Sequence, residues 1–311
     1  MGGNVHVFDS PHRSDPRLGR GFFYAQSLRL VAHLCSIKVL DFYDKVRSMH
    51  KFKQACVGIL VSLLCSNVVM ANDAPVAVIT GSSYGLGAEL VDRAVARGWR
   101  IAMVDYRPGP SATKAQEIKE RGGQAAVFVA DLSEPEDRKG LIKEVLKTFG
   151  RVDYLFNNAG YAYLATVEQM KLQSAHRLFE VNYWAYADLA KQVIEPMRKQ
   201  GGGTIVNVSS ILGTVAAPAG YGHYSASKHA LHGLFQAMVK EVAPDNIKVF
   251  LAAPGGMKTQ IGAHSVGPLA NPEAPVPANW EDPGIVADDI FEAIKGESGV
   301  FMPGYVGRQG R

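Results

Sequence analysis

The stretch "YGHYSASKHAL" places Tyr224 and Lys228 four residues apart. On a helix, that spacing brings both side chains out on one face. A free tyrosine titrates near ~10 and offers little phenolate at neutral pH. An ammonium beside it stabilises the phenolate and lowers that value, which turns tyrosine into a usable acid or base. Taken alone, Tyr-x-x-x-Lys reads equally well as a solvated helix face, so other residues must decide.

A second stretch with chemical potential, "TGSSYGLGAEL", begins at Thr80. Gly81 allows a tight turn, Gly85 lets backbone approach a pyrophosphate, and Gly87 lets helix and strand pack closely. The N-terminus of the following helix offers free N–H groups and partial positive charge to phosphates. Its position after a strand and ahead of a helix separates a dinucleotide site from an ordinary turn. Asp105 closes the next strand 24 residues after Gly81, close to the spacing of a ribose-binding acid. A carboxylate there accepts hydrogen bonds from both ribose hydroxyls and repels a 2′-phosphate, so NAD is expected over NADP. Arg107 argues the other way, because it can swing toward such a phosphate. Asp105 as a simple turn cap is the plainer alternative.

These residues need a scaffold to hold them. From Pro75, short β-rich runs ("VAVIT", "RIAMVDY", "QAAVFVAD", "VDYLFNNAG", "GGTIVNVSS", "NIKVFLAAPGG") alternate with helical ones. The helices are expected over "LGAELVDRAVARG" and residues 111–121, 135–149, 167–199 and 221–242, and a seventh strand lies in "SGVFMPGYVGRQGR". The strand runs are apolar with little alternation, which means burial on both faces and a parallel sheet. Right-handed crossovers then give an α/β, Rossmann-type doubly wound sheet of about seven strands, with helices on both faces and a single domain over residues 72–311. Residues 262–284, rich in Pro, Gly and Ala, read as a long loop of the kind that serves as a lid.

With "TGSSYGLG", "NNAG" at 157–160, Asn182 in a long helix, the "VSS" strand end and "YSASK", the chain resembles the short-chain dehydrogenase/reductase family. The TGxxxGxG spacing is similar to that of its compact, single-domain subgroup, and the resemblance runs from Val76 to Pro303. It implies an NAD(P)-dependent oxidoreductase that interconverts an alcohol and a carbonyl. It implies Tyr224 as general acid/base, and Lys228 as the residue that holds the nicotinamide ribose and lowers the tyrosine pKa. Ser210 would hydrogen-bond the substrate oxygen, and Asn182 would position a water in a proton relay. Cofactor contacts implied in the same way are Ser83 and Leu86 in the glycine turn and Asp131 with Leu132 near the adenine. Asn158, Ala159 and Gly160 follow beside the cofactor, with Pro254, Gly255 and Thr259 near the nicotinamide. A homodimer or homotetramer is implied, through the helices carrying Asn182 and Tyr224. Ser210 lies 14 residues before Tyr224, one more than the family pattern, so Ser209 stays open as its substitute. A dinucleotide-binding sensor or scaffold with the same fold and no chemistry is the competing reading. Such a protein would be expected to have lost one of the four catalytic positions.

Other residues invite chemistry less. Asn182 and the two serines also read as a mid-helix polar residue and strand-end caps. Tyr161, Tyr163 and Tyr221 read as packing. His223, His229 and His232 lack carboxylate or cysteine company at ligand spacing, so no metal is expected.

The net charge of +4 is misleading. Residues 1–71 hold nine Lys/Arg and four Asp/Glu, leaving 24 basic and 25 acidic residues beyond them. The main domain therefore gives no reason to expect a nucleic-acid partner, and its expected partner is a small alcohol or carbonyl substrate. Cys35, Cys56 and Cys65 all fall in the leader, so the rest of the chain forms no disulfide. Residues 1–48 read as an unpatterned extension ahead of a second start at Met49. Residues 49–71 resemble a secretory signal: Lys51 and Lys53, an apolar run from Ala55 to Met70, then Val69-Met70-Ala71 as a cleavage site. A membrane anchor through residues 55–70 and a peripheral helix are the alternatives. Export or membrane association is expected if this segment acts as a signal or anchor, and a cytoplasmic location otherwise.

Overall fold

The computed structural model describes residues 73–304, so the expectations for the leader fall outside the described residues. Seven strands form one sheet: β1 (Val76–Thr80), β2 (Arg100–Asp105), β3 (Ala125–Val129), β4 (Tyr154–Asn157), β5 (Gly203–Val208), β6 (Ile247–Ala252) and β7 (Gly299–Phe301). Their order is β3-β2-β1-β4-β5-β6-β7, every pair parallel. The order reverses between β1 and β4. In such sheets ligands bind there, in the crevice beyond the strands' carboxyl ends.

The unbroken apolar strands are buried on both faces, and successive side chains go to opposite cores. Val76 and Val78 of β1 join one core, while Ala77 and Ile79 join the other. The first core is closed by α4 (Leu141–Phe149), α6 (Ala185–Lys199) and α7 (Gly222–Val242). The second is closed by α1 (Gly85–Ala96), α2 (Gly109–Glu120) and α8 (Pro283–Ala293). The doubly wound architecture expected from the sequence is thus the one observed.

Three elements depart from expectation. The helix expected over 135–149 is two pieces, α3 (Pro135–Arg138) and α4, because Gly140 takes a left-handed φ of 75° between them. The helix expected over 167–199 starts at α5 (Leu172–Phe179) and passes through a π-helical turn, Glu180–Trp184, before α6. Asn182 sits within that turn, where the extra residue re-aims the side chain. Helix α8 opens inside the span read as a loop. Asp282 caps it, accepting a 2.7 Å hydrogen bond from the Gly284 N–H, and Pro283 fills its first position. No helix among the described residues is long and apolar enough to cross a membrane.

Candidate active site

The glycine turn is fixed by contacts that only glycines allow. Gly81 has φ 63°, and a Cβ there would stand 2.9 Å from the Ala159 Cα. A Cβ on Gly87 would stand 1.9 Å from the Gly81 carbonyl oxygen. Thr80 and Asn158 staple this turn to the end of β4. The Thr80 hydroxyl accepts from the N–H groups of Asn158 and Ala159 at 2.9 and 3.0 Å. The Asn158 amide donates to the carbonyls of Thr80 and Gly81 at 2.9 and 3.1 Å. Asn158, expected as a cofactor neighbour, is thereby committed to holding the turn. Tyr84 caps α1 with no side-chain bond to the helix's first N–H groups. Uncapped donors at a helix start, backed by Leu86 and Gly87 in the core, fit the phosphates of a dinucleotide.

Asp105 ends β2 and accepts a hydrogen bond from Ser82. Burial raises its pKa, while the Ser82 hydrogen bond and the nearby Ser83 and Ser111 work against that rise. Arg107 does not reach for it: its guanidinium lies over the Tyr106 ring, 4.8 Å from the centroid. Asp131 follows β3 beside Leu132. Its carboxylate accepts from Ser133 N–H and hydroxyl at 2.9 and 2.7 Å and from Arg177 at 2.8 Å. Burial opposes ionisation of Asp131, but the Ser133 bonds and the Arg177 cation outweigh it and hold the carboxyl below its ordinary value. Ser111 and Arg177 are neighbours that no local sequence signal marked.

Tyr224 and Lys228 emerge side by side from α7, both buried. The Lys228 ammonium donates to the Val208 carbonyl at 2.9 Å and lies 5.8 Å from the Tyr224 ring centroid. Ser210 accepts a 3.2 Å bond from the Leu212 N–H, and its hydroxyl acts to lower the Tyr224 pKa. Burial pushes Tyr224 up to about 12, with Ser210 pulling it back. Burial also pushes Lys228 down to about 7. Burial thus disfavours both ions in this dry pocket. Ser209 turns the other way, 2.9 Å from His232 Nε2 and 3.4 Å from the Lys228 carbonyl. Only Ser210 meets the tyrosine.

Asn182 is completely buried and spans two elements. Its amide donates to the Tyr161 carbonyl at 3.0 Å and Ser227 at 3.2 Å, and its oxygen accepts from the Tyr161 N–H at 3.2 Å. A Cβ on Gly160 would sit 3.1 Å from that oxygen and 3.6 Å from the Lys228 Nζ. The "NNAG" loop, the π turn and α7 thus meet at one point. Pro254 is buried and accepts the Ile211 N–H at 2.8 Å, which ties the segment containing Gly255 to the strand end carrying Ser210. The Thr259 methyl lies 3.0 Å from where a Gly85 Cβ would stand, so the chain after β6 closes on the glycine turn. A cavity of about 570 Å³ opens there, lined by Tyr84, Glu89, Lys258, Thr259, Gln260 and Val276 among others. His232 is hydrogen-bonded to Ser209 and His229 to Ser225, while His223 lies against the Tyr163 ring. No metal-binding group is present among the described residues.

Residues 75–267 match the family pattern described as short chain dehydrogenase. An uncharacterised oxidoreductase from Schizosaccharomyces pombe is 32% identical over 185 residues, 59% of this chain and 61% of that protein. A short-chain dehydrogenase from Streptomyces avermitilis superposes with a TM-score of 0.67 at 28% identity, over 76% of this chain and 90% of that one. Another, from Sphingobium yanoikuyae in complex with NADPH, gives 0.66 at 26% identity, over 73% and 87%. Glycine turn, buried Tyr–Lys pair, sheet order and matched sequence agree: the chain belongs to the short chain dehydrogenase family and is an oxidoreductase of that family.

Proposed function

We propose that this protein interconverts an alcohol and a carbonyl, with NAD preferred to NADP. The observation that carries the reading is the meeting of Tyr224, Lys228 and Ser210 beyond the end of β5, with Asn182 joining their helix to the loop after β4. A bound nicotinamide supplies the acceptor or donor of hydride. In the oxidising direction Tyr224, as phenolate, takes the substrate's hydroxyl proton, and in reduction it returns that proton to the carbonyl oxygen. Ser210 holds the same oxygen. A tyrosine held near 12 by burial is a poor base, so positive charge close by has to lower it. The Lys228 ammonium and the cationic ring of the oxidised cofactor are the charges suited to that task. Asn182 fixes the Tyr161 backbone against α7, which keeps the floor of the site in place.

NAD is preferred because Asp105 is poised at the end of β2 with the Ser82 hydroxyl donating to it, and its charge opposes a 2′-phosphate. The test is Tyr224→Phe in a dinucleotide fluorescence titration and an alcohol and ketone panel. Binding should persist while turnover falls by about 10²-fold or more. Turnover that survived on a proven substrate would end this mechanism. A wild-type protein that bound NAD but oxidised nothing in a broad panel would support the non-catalytic reading.

A further inference from the structure

One buried tyrosine lies outside the roles described so far. Tyr186 stands in the first turn of α6, immediately after the π turn carrying Asn182, and is 1% exposed. Its hydroxyl donates to the Val208 carbonyl at 3.3 Å, the same oxygen that accepts from Lys228 at 2.9 Å. The Lys228 ammonium also lies over the Tyr186 ring, 5.2 Å from its centroid. An ammonium within about 6 Å of an aromatic face is attracted by the ring quadrupole, most strongly where water is excluded. Around Lys228 the other titratable groups include Tyr224 and His232 on its own helix, and His232 is disfavoured as a cation by burial first, then by His229 and Lys228. Burial lowers the Lys228 pKa to about 7. The Val208 carbonyl and the ring faces of Tyr186 and, at 5.8 Å, Tyr224 are the features packed against the ammonium that favour its charged form.

We propose that Tyr186 is a positioning residue for the acid–base pair, its ring face and hydroxyl acting with the Val208 carbonyl to hold Lys228 as an ammonium between Tyr224 and the Gly160 loop. This rests on the reading of Tyr224 and Lys228 given above. The hydroxyl contributes a shared anchor at Val208, and the ring contributes the electrostatics. Tyr186 is conspicuous only in three dimensions, since in sequence it is one more aromatic on an apolar helix face.

The test is an NMR titration of the Lys228 side chain in the full-length, cofactor-free protein, with its signal assigned by its loss in Lys228→Met. The wild type is compared with Tyr186→Phe and with mono-, di- and trifluorinated phenylalanines at position 186. Fluorination drains the ring's negative face at nearly constant shape, which avoids the cavity that Tyr186→Leu would leave. Tyr186→Phe should leave the midpoint close to the wild-type value, and the fluorinated series should lower it stepwise, by about one pH unit at the end. On a turned-over substrate, the alkaline limb of kcat/KM should move with it while Tm stays nearly constant. A Lys228 midpoint that does not move across the folded fluorinated series overturns the proposal. The titration needs neither cofactor nor substrate, so its failure is separate from a failure of the proposed activity. Should the midpoint move while no dehydrogenase turnover exists, the contact stands and the reading of the pair falls.

Discussion

Replacing Lys228 with methionine should make this protein more stable at neutral and acidic pH while removing its activity. Lys228 is 3% exposed and pushed by burial from 10.5 down to about 7. Between those two values the unfolded chain binds a proton that the folded protein gives up. Folded stability therefore rises with pH across that window, at about 1.4 kcal/mol per pH unit. Below pH 7 the lysine is charged in both states and the full cost of burying it applies, roughly 5 kcal/mol as an upper figure. Above about 10.5 it is neutral in both states and that cost is gone. Methionine has a similar length and no charge. It forfeits the bond to the Val208 carbonyl, worth about 1 kcal/mol, but Tyr186 still donates to that oxygen.

The two stability curves should therefore converge as pH rises. At pH 6 Lys228→Met should exceed the wild type by a few kcal/mol, and by pH 10 the two should be about equal, the remaining cost of the lysine charge offsetting the lost bond. Urea denaturation of both proteins at pH 6, 7, 8, 9 and 10 measures the difference directly. Above pH 10 the titration of Tyr224, held near 12 when folded, adds a term of opposite sign: its stabilisation is lost as pH rises toward 12. The comparison should stop below that range. Curves that stay parallel from pH 7 to pH 10 would refute the claim that burial holds Lys228 near neutrality. Convergence would mean that the enzyme keeps a destabilising charge for the sake of its chemistry.

Gly87→Ala places a Cβ 1.9 Å from the Gly81 oxygen and 2.7 Å from the Asn158 amide nitrogen, so backbone has to move. It should cost about 2–3 kcal/mol or more and abolish dinucleotide binding in a fluorescence titration. Gly109→Ala, whose Cβ would meet open space, is the control, and equal behaviour of the two would contradict the packing account. Asp105→Ala should raise kcat/KM with NADP relative to NAD by roughly tenfold; an unchanged ratio removes Asp105 as the discriminator. Ser210→Ala should lower kcat by about 10²-fold at nearly constant stability. Ser209→Ala should instead cost about 1–3 kcal/mol through its lost His232 partner and retain more activity. The reverse pattern would assign the substrate oxygen to Ser209.

The sheet was legible because strands buried on both faces write their burial straight into the sequence as apolar runs. The glycine turn and the Tyr224–Lys228 pair were legible because their spacings are local. What stayed hidden depends on contacts between distant segments or on small backbone irregularities. A π-helical turn at Glu180–Trp184 keeps nearly the same apolar period as an α-helix, so nothing in 167–199 announced it. Gly140 lies within the helix expected over 135–149, and its left-handed φ is what breaks the run. The start of α8 carried a readable signal, Asp282 before Pro283, but its Pro- and Gly-rich surroundings drew the segment into the loop. Ser209 and Ser210 differ by one residue at a strand end, and the alternation of sides there decides which meets Tyr224. Thr80 and Tyr186 matter through partners 78 and 22 residues away, beyond any local pattern.

The segment from Tyr161 to Ala165 connects these parts of the site. One end is gripped by Asn182, which bonds both the N–H and the carbonyl of Tyr161 and reaches Ser227 on α7. The other end carries the long loop after β6: Val266 donates to the Ala162 carbonyl at 2.9 Å and accepts from the Leu164 N–H at 2.8 Å, with Leu269 donating to Leu164 at 3.0 Å. That loop is mostly exposed, and Val266 and Leu269 are not part of either main core. The Asn182 grip is buried and serves three polar groups at once, so the Gly160 loop is held against α7 from inside the fold. The π turn makes that grip available, because it brings Asn182 to the Tyr161 backbone and leaves Tyr186, four residues on, against Lys228.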